Sequence, residues 1–161
     1  MSQKSIIFLD IDGTLVNTDA NPEFIPESAI KAVHQARQNG HQVYLCTGRS
    51  KAEIYDYITA VGFDGVIGAA GGFIEVHGKE IFHETIKPES AVIVSQYFND
   101  KGIDFYLESN SGLYASKNLI PHLEKHKPEN PQSTMEMFRI RKQGMMEAEE
   151  IIRHDLINQF H

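Results

Sequence analysis

The stretch Ser5-Ile6-Ile7-Phe8-Leu9-Asp10-Ile11-Asp12-Gly13-Thr14 limits what the rest of the chain can fold into. Ile6 to Leu9 are apolar without a break, whereas a half-exposed strand would alternate. The pattern therefore predicts a central parallel strand covered on both faces. Two carboxylates, Asp10 and Asp12, follow at its carboxyl end, and Gly13 stands where the backbone must turn away from the sheet. Open α/β sheets bind their ligands at the carboxyl ends of strands. Folding alone gives no reason for two acids there, because neighbouring like charges destabilise the fold unless a cation or a proton lies between them.

Similar units follow. After a polar, turn-rich excursion over residues 15–25, Pro26 opens a helix with Ala29, Ile30, Ala32, Val33 and Ala36 on one face, and Asn39-Gly40 stops it. Val43 to Cys46 is a second short apolar strand, ending in Thr47-Gly48-Arg49-Ser50. Lys51 to Val61 reads as a helix with Ile54, Tyr57, Ile58 and Val61 on one side. Gly65 to Gly68 is a third strand, followed by the small residues Ala69 to Gly72. Strand, helix, strand, helix, strand predicts an α/β fold with a parallel sheet and right-handed crossovers.

From Phe73 the pattern changes. Residues 73–77 and 80–83 around Gly78-Lys79 predict a β-hairpin. A helix is expected over Pro88 to Asn99, a strand over Ile103 to Glu108, a turn at Ser109 to Gly112 and a strand over Leu113 to Ala115. Leu119 to His126 reads as a helix, the Pro-containing stretch Lys127 to Thr134 as a loop, and Met145 to Phe160 as a helix with Ile152, Leu156 and Phe160 in register. Strands joined by short turns imply an antiparallel sheet. The expected organisation is a core over residues 1–85, made of three strands plus the hairpin, and a second α/β module over 86–161.

Composition narrows the partners. A formal net charge of -7 argues against nucleic acid or an anionic membrane surface. Residues 1–85 hold 11 acidic and 6 basic side chains, against 11 and 9 in residues 86–161, so an anionic ligand near Asp10 and Asp12 would meet repulsion. A divalent metal reverses the local sign, and a hard cation such as Mg2+ prefers carboxylate and carbonyl oxygens. No apolar run is long enough to span a membrane, and the N-terminal residues lack the layout of a secretion signal. With one cysteine, Cys46, no internal disulfide forms, which suits a cytoplasmic protein. Cys46 itself is expected as a small buried strand residue. His122 and His126, four apart, are expected on a solvated helix face rather than at a zinc site, and Met145, Met146, Ile152 and Leu156 in a packing stripe. Neither a Gly-x-x-x-x-Gly-Lys-Ser/Thr loop nor a Gly-x-Gly-x-x-Gly turn occurs.

Asp10 and Thr47 would face one crevice if their strands are neighbours. A carboxylate can attack phosphorus to give an aspartyl-phosphate that water hydrolyses. A second acid two residues on can protonate the leaving oxygen and then deprotonate water. Thr47 and main-chain N–H groups around Asp12, Gly13 and Gly48 could hold phosphoryl oxygens, with Mg2+ offsetting the carboxylate repulsion. Arg49 suits either a structural ion pair or a substrate contact.

Asp10-Ile11-Asp12-Gly13-Thr14 after an apolar strand, and Thr47-Gly48-Arg49 after the next, resemble the haloacid dehalogenase-like (HAD) hydrolases, in particular their Cof-type sugar-phosphatase subgroup. The resemblance implies a Rossmann-like core with an α/β cap. It implies Asp10 as nucleophile and Asp12 as acid/base, with Mg2+ held by Asp10 and by Asp12, whose main-chain carbonyl helps. The phosphoryl group would be bound by Thr47, with Gly13, Gly48 and Arg49 around it. Ala70-Gly71-Gly72 is similar to a family loop that commonly reads Asn-Gly-Ala, so an Asn is missing here. The family's third motif, with a Lys, is carried onto neither Lys127 nor Lys142, and its fourth, with Gly-Asp, finds no match because that dipeptide does not occur. The reading expects a truncated core with a partial cap, and an activity that is low for that reason. It also expects self-association through the unpaired edge of the first strand. The expected function is Mg2+-dependent hydrolysis of a small phosphorylated metabolite such as a sugar phosphate. The alternatives are a non-catalytic remnant that binds phosphate or a partner chain, and a phosphosugar mutase.

Overall fold

The computed structural model describes residues 4–20, 22–110, 112–125 and 145–147. The chain divides into two compact units, Met1–Glu84 and Thr85–His161. In the first unit the elements run β1 (Ile6–Leu9), α1 (Glu27–Gln38), β2 (Gln42–Cys46), a 3-10 turn (Lys51–Glu53), α2 (Asp56–Thr59), β3 (Gly65–Gly68), β4 (Phe73–Val76) and β5 (Lys79–His83). They form one five-stranded sheet in the order β1-β2-β3-β4-β5. The first three strands are parallel, and the hairpin adds two antiparallel strands beside β3.

Among the described residues β1 has β2 as its one neighbour, which matches the unpaired edge expected for this chain and not the central place that its apolar run alone predicts. Its side chains alternate after all: Ile7 and Leu9 pack with Val33 of α1 and Val43 of β2, while Ile6 and Phe8 are 57% and 56% exposed. An unbroken apolar run is compatible with cover on two faces but does not supply it, and in this unit the core clusters form on the α1 side alone. The other face carries Ile6, Phe8 and Tyr44, with the Phe8 and Tyr44 rings 5.9 Å apart. Cys46 is exposed rather than buried, because it occupies that same open face.

The core continues into the loop after β1. Ile11, Leu15 and Val16 are fully buried against Leu45 and Ile58. The segment Lys51 to Val61 is not one helix. Ile54 and Tyr55 are extended, which separates the 3-10 turn from α2. Glu53 folds its carboxylate back to accept from the Ser50 N–H at 3.3 Å and hydroxyl at 3.1 Å, which caps the start of the 3-10 turn.

Close packing between β3 and β4 depends on Gly65. A Cβ there would lie 2.1 Å from the Glu75 carbonyl oxygen and 2.8 Å from the Tyr44 ring. The obstacle is backbone of the paired strand, which cannot rotate away. Gly65→Ala is therefore expected to destabilise the fold by about 2 kcal/mol, as overpacking does, measured as a lower urea midpoint at unchanged slope.

In the second unit, α3 (Pro88–Asp100) is followed by β6 (Tyr106–Glu108), β7 (Leu113–Ala115), α4 (Leu119–Lys125) and β8 (Met145–Glu147). β6 and β7 pair antiparallel as expected, and β7 and β8 pair parallel. The helix expected from Met145 begins instead with a strand, since Met145 and Met146 take the edge of β7; its remainder lies outside the described residues. His122 pairs with Asp104 at 2.5 Å, and His126 lies outside the described residues. No helix among the described residues is long and apolar enough to cross a membrane.

Candidate active site

The parallel register that sets Leu9 against Leu45 brings the segments after β1 and β2 to the same end of the sheet. Asp10 to Gly13 leaves one strand there and Thr47 to Arg49 leaves the other. The two segments touch through a forked ion pair. Arg49 donates from Nε to Asp12 Oδ2 at 3.0 Å and from its terminal nitrogen to Oδ1. A third donor of the same guanidinium reaches the Glu53 carbonyl at 3.1 Å, and the group lies 5.5 Å from the centre of the Tyr55 ring. Burial opposes the charge of Arg49, but the Asp12 hydrogen bond and charge outweigh it, so its pKa is raised and it stays a cation. The break after Glu53 in the expected helix brings both the carbonyl and the ring to Arg49.

Asp10 is placed differently. Its side chain is exposed, and among the described residues it makes no hydrogen bond or ion pair. Among the described residues one carboxylate of the pair is held and the other is available.

The main chain around Asp12 is also divided. Gly13 N–H donates to the Val16 carbonyl at 3.1 Å, and Val16 N–H donates to the Ile11 carbonyl at 2.8 Å. Gly13 is therefore not a free phosphate donor as expected: its amide closes the turn, and its positive φ of 70° lets the turn form. This bridge leaves the N–H and C=O of Asp12 itself pointing away from Val16, without a main-chain partner among the described residues. Gly48 N–H is likewise uncommitted among them.

Thr47 is only 5% exposed. Its Oγ1 accepts from the Arg49 N–H at 3.1 Å, which leaves its own proton to donate. Thr47 N–H and C=O are tied to Ile67 and Ala70 at 2.9 and 3.1 Å. Ala69 N–H in turn donates to the Arg49 carbonyl at 2.7 Å. Ala69 and Ala70 both have positive φ, 48° and 52°, a conformation costing non-glycine residues about 1–2 kcal/mol. The loop after β3 thus braces the Thr47–Arg49 loop at a cost in backbone strain. In the sequence, the one physical signal of this loop is its run of small residues, Ala69 to Gly72.

Among the described residues no group of three or more His, Cys, Asp or Glu is placed to hold a metal. Mg2+ does not require one, because it keeps several waters and binds through one or two carboxylates plus substrate phosphate. The unpaired Asp10 carboxylate and the unengaged Asp12 carbonyl are oxygen donors of that kind, and they fit the ion.

The family model for haloacid dehalogenase-like hydrolases matches residues 7–159. The chain belongs to this family. Among curated proteins it is similar to phosphatase YwpJ of Bacillus subtilis, 25% identical over 140 residues, covering 83% of this chain and 48% of that protein. It is 33% identical over 87 residues to YkrA of the same organism, covering 54% of this chain and 32% of that protein. Among solved structures, a haloacid dehalogenase-like hydrolase from B. subtilis superposes with a TM-score of 0.68 at 23% identity, over 92% of this chain and 56% of that one. The HAD subclass IIB sugar phosphatase BT4131 superposes at 0.66 and 23% identity, over 94% and 55%. The HAD-like α/β architecture expected from the sequence is thus the one found, and the chain spans about half the length, or less, of these relatives.

Proposed function

We propose that this family member is a phosphatase that hydrolyses a small phosphomonoester, such as a sugar phosphate, through an aspartyl-phosphate on Asp10. The observation that carries the proposal is the unequal treatment of the two acids: Asp10 exposed and unpaired among the described residues, Asp12 gripped by Arg49. An unpaired carboxylate can act as a nucleophile. A carboxylate held two residues away is oriented for proton transfer and unavailable for attack on the same phosphorus.

In this reading, an Asp10 oxygen attacks phosphorus and the ester P–O bond breaks. Asp12 in its acid form donates a proton to the departing oxygen. Its carboxylate then takes a proton from the water that attacks the acyl phosphate, and inorganic phosphate leaves with Asp10 restored. The Thr47 hydroxyl and the amides of Asp12 and Gly48 supply donors for the phosphoryl oxygens. Mg2+, held by the Asp10 carboxylate and the Asp12 carbonyl, would supply positive charge between carboxylate and phosphate. Arg49 has to release at least one Asp12 oxygen for proton transfer, and an incoming phosphate is the competitor that can draw the guanidinium away. The segment from Thr85 is proposed as a cap that selects the substrate, and the protein as cytoplasmic. That grip on Asp12 also favours a second reading, phosphate binding without turnover.

The test is hydrolysis of an aryl phosphate with Mg2+ and with EDTA. Phosphate release that needs Mg2+ is expected, at a turnover below the enzyme median of about 10 per second. An equal rate in EDTA would remove the metal assignment. Phosphate binding with no release in Mg2+ would establish the second reading.

A further inference from the structure

Two like charges after β1 require a cation nearby, and the fold supplies one of its own. Asp12 carries the fork from Arg49, so Asp10, Asp12 and the guanidinium together hold one net negative charge rather than two.

Arg49 is tied down as a whole residue. Its N–H donates to Thr47 Oγ1 at 3.1 Å and its carbonyl accepts from the Ala69 N–H at 2.7 Å, so its backbone is held from two sides. Its side chain is 16% exposed, against 49% for Asp12, and the Glu53 carbonyl and the Tyr55 ring hold the guanidinium as well. The charge therefore stays at the site even when one bond of the fork opens. Lys51, the next cation along the loop, is committed elsewhere: its Nζ donates to Glu75 Oε2 on β4 at 2.6 Å.

We infer that Arg49 is a built-in counter-cation of the acid pair, and that Mg2+ enters this site against its resident positive charge. The inference rests on the reading of the Asp10 carboxylate and the Asp12 carbonyl as the metal's oxygens. That carbonyl belongs to the residue whose carboxylate carries the fork, so an ion bound there and the guanidinium are neighbours. Neighbouring like charges repel, and the burial of Arg49 limits how far water and salt screen them. The two cations also draw on the same anion, since charge that Asp12 shares with Arg49 is not free to attract the metal. Linkage makes the effect mutual: Mg2+ loosens the fork by as much as the fork weakens Mg2+. The arrangement serves both states. Without metal, Arg49 keeps the two acids from destabilising the loop; with metal, the loosened guanidinium becomes a donor for the phosphate that follows.

Calorimetric titration of the whole chain with Mg2+ at low ionic strength tests the inference without reference to turnover. Arg49→Gln is expected to bind Mg2+ about tenfold more tightly than the unmodified chain, the scale of effect of one unit charge on a dication beside it in partly solvated protein. A merely structural Arg49 predicts the opposite, a disturbed loop that binds the ion more weakly. Arg49→Lys keeps the charge without the fork and should stay nearer the unmodified chain than Arg49→Gln does. Urea midpoints carry the converse. Arg49→Gln should be less stable than the unmodified chain without metal, and saturating Mg2+ should narrow that gap, because the ion replaces the lost cation. If circular dichroism shows the variant unfolded without metal, Mg2+ should refold it for the same reason. Equal or weaker Mg2+ binding by Arg49→Gln, or a stability gap that Mg2+ leaves unchanged, would overturn the inference. Asp10→Asn separates it from the reading beneath it. Mg2+ binding that is absent from the unmodified chain, or indifferent to Asp10→Asn, would remove both. Binding lost in Asp10→Asn but unchanged in Arg49→Gln would remove the counter-cation alone.

Discussion

Asp10→Asn is expected to lower phosphate release from an aryl phosphate by about a thousandfold or more, the scale of loss when an enzyme's nucleophile is removed. The amide has the shape of the carboxylate but cannot form the acyl phosphate, so the loss should fall on turnover while the fold persists. Asp10 is exposed and unpaired among the described residues. Its replacement should therefore change stability by no more than about 0.5 kcal/mol. Asp12→Asn makes the informative contrast. It removes the proposed acid/base group but also half of a forked ion pair with Arg49, so both chemistry and the position of the guanidinium should change. Acid quench after a brief exposure to labelled substrate should trap phosphate on the Asp12→Asn chain and not on the Asp10→Asn chain. Hydrolysis by Asp10→Asn at the unmodified rate would end the assignment of Asp10.

The two segments that meet at the site were legible because each is a strand followed at once by polar residues, and a parallel pair places such ends together. The bond between them was not. Arg49 and Asp12 are 37 residues apart in sequence, and the break at Ile54 and Tyr55 is what adds the Glu53 carbonyl and the Tyr55 ring to the contacts of Arg49. Helical periodicity at Ile54, Ile58 and Val61 concealed that break, since Ile58 and Val61 are buried whether or not the turns are continuous. The loop after β1 misled in the opposite sense. Its turn residues are polar, yet Leu15 and Val16 are among the most buried side chains. The open face of β1 was not legible from β1 itself, because what covers a strand is encoded elsewhere in a chain. Met145 to Glu147 belongs to the same class: its apolar spacing fits a helix, and pairing with β7 makes it a strand.

Asp64 escaped the sequence reading altogether, and its removal is expected to cost about 3 kcal/mol, in the range for breaking one side of a buried ion pair. It is 8% exposed and sits in the loop entering β3. Its two oxygens accept from Arg37 at 3.2 and 2.9 Å, and one of them also accepts from the Val43 N–H at 2.8 Å. The carboxylate thus fastens the last turn of α1 to the start of β2. Asp64→Ala leaves the Val43 N–H buried without an acceptor and Arg37 without its partner; the partial exposure of Arg37 keeps the cost at the lower end. Burial alone would raise the pKa of Asp64, but the Arg37 hydrogen bonds, the Val43 N–H and the Arg37 charge prevail and hold it below its ordinary 3.8. The sign follows from that direction. A carboxyl that binds its proton more weakly in the folded chain stabilises the fold fully above 3.8, and loses that contribution as pH falls through the lowered folded value. Urea midpoints of the unmodified chain and of Asp64→Asn should therefore differ most near neutral pH and draw together well below pH 3.8. A gap between them that stays constant across that range would show that Asp64 is held by packing, with its charge contributing nothing.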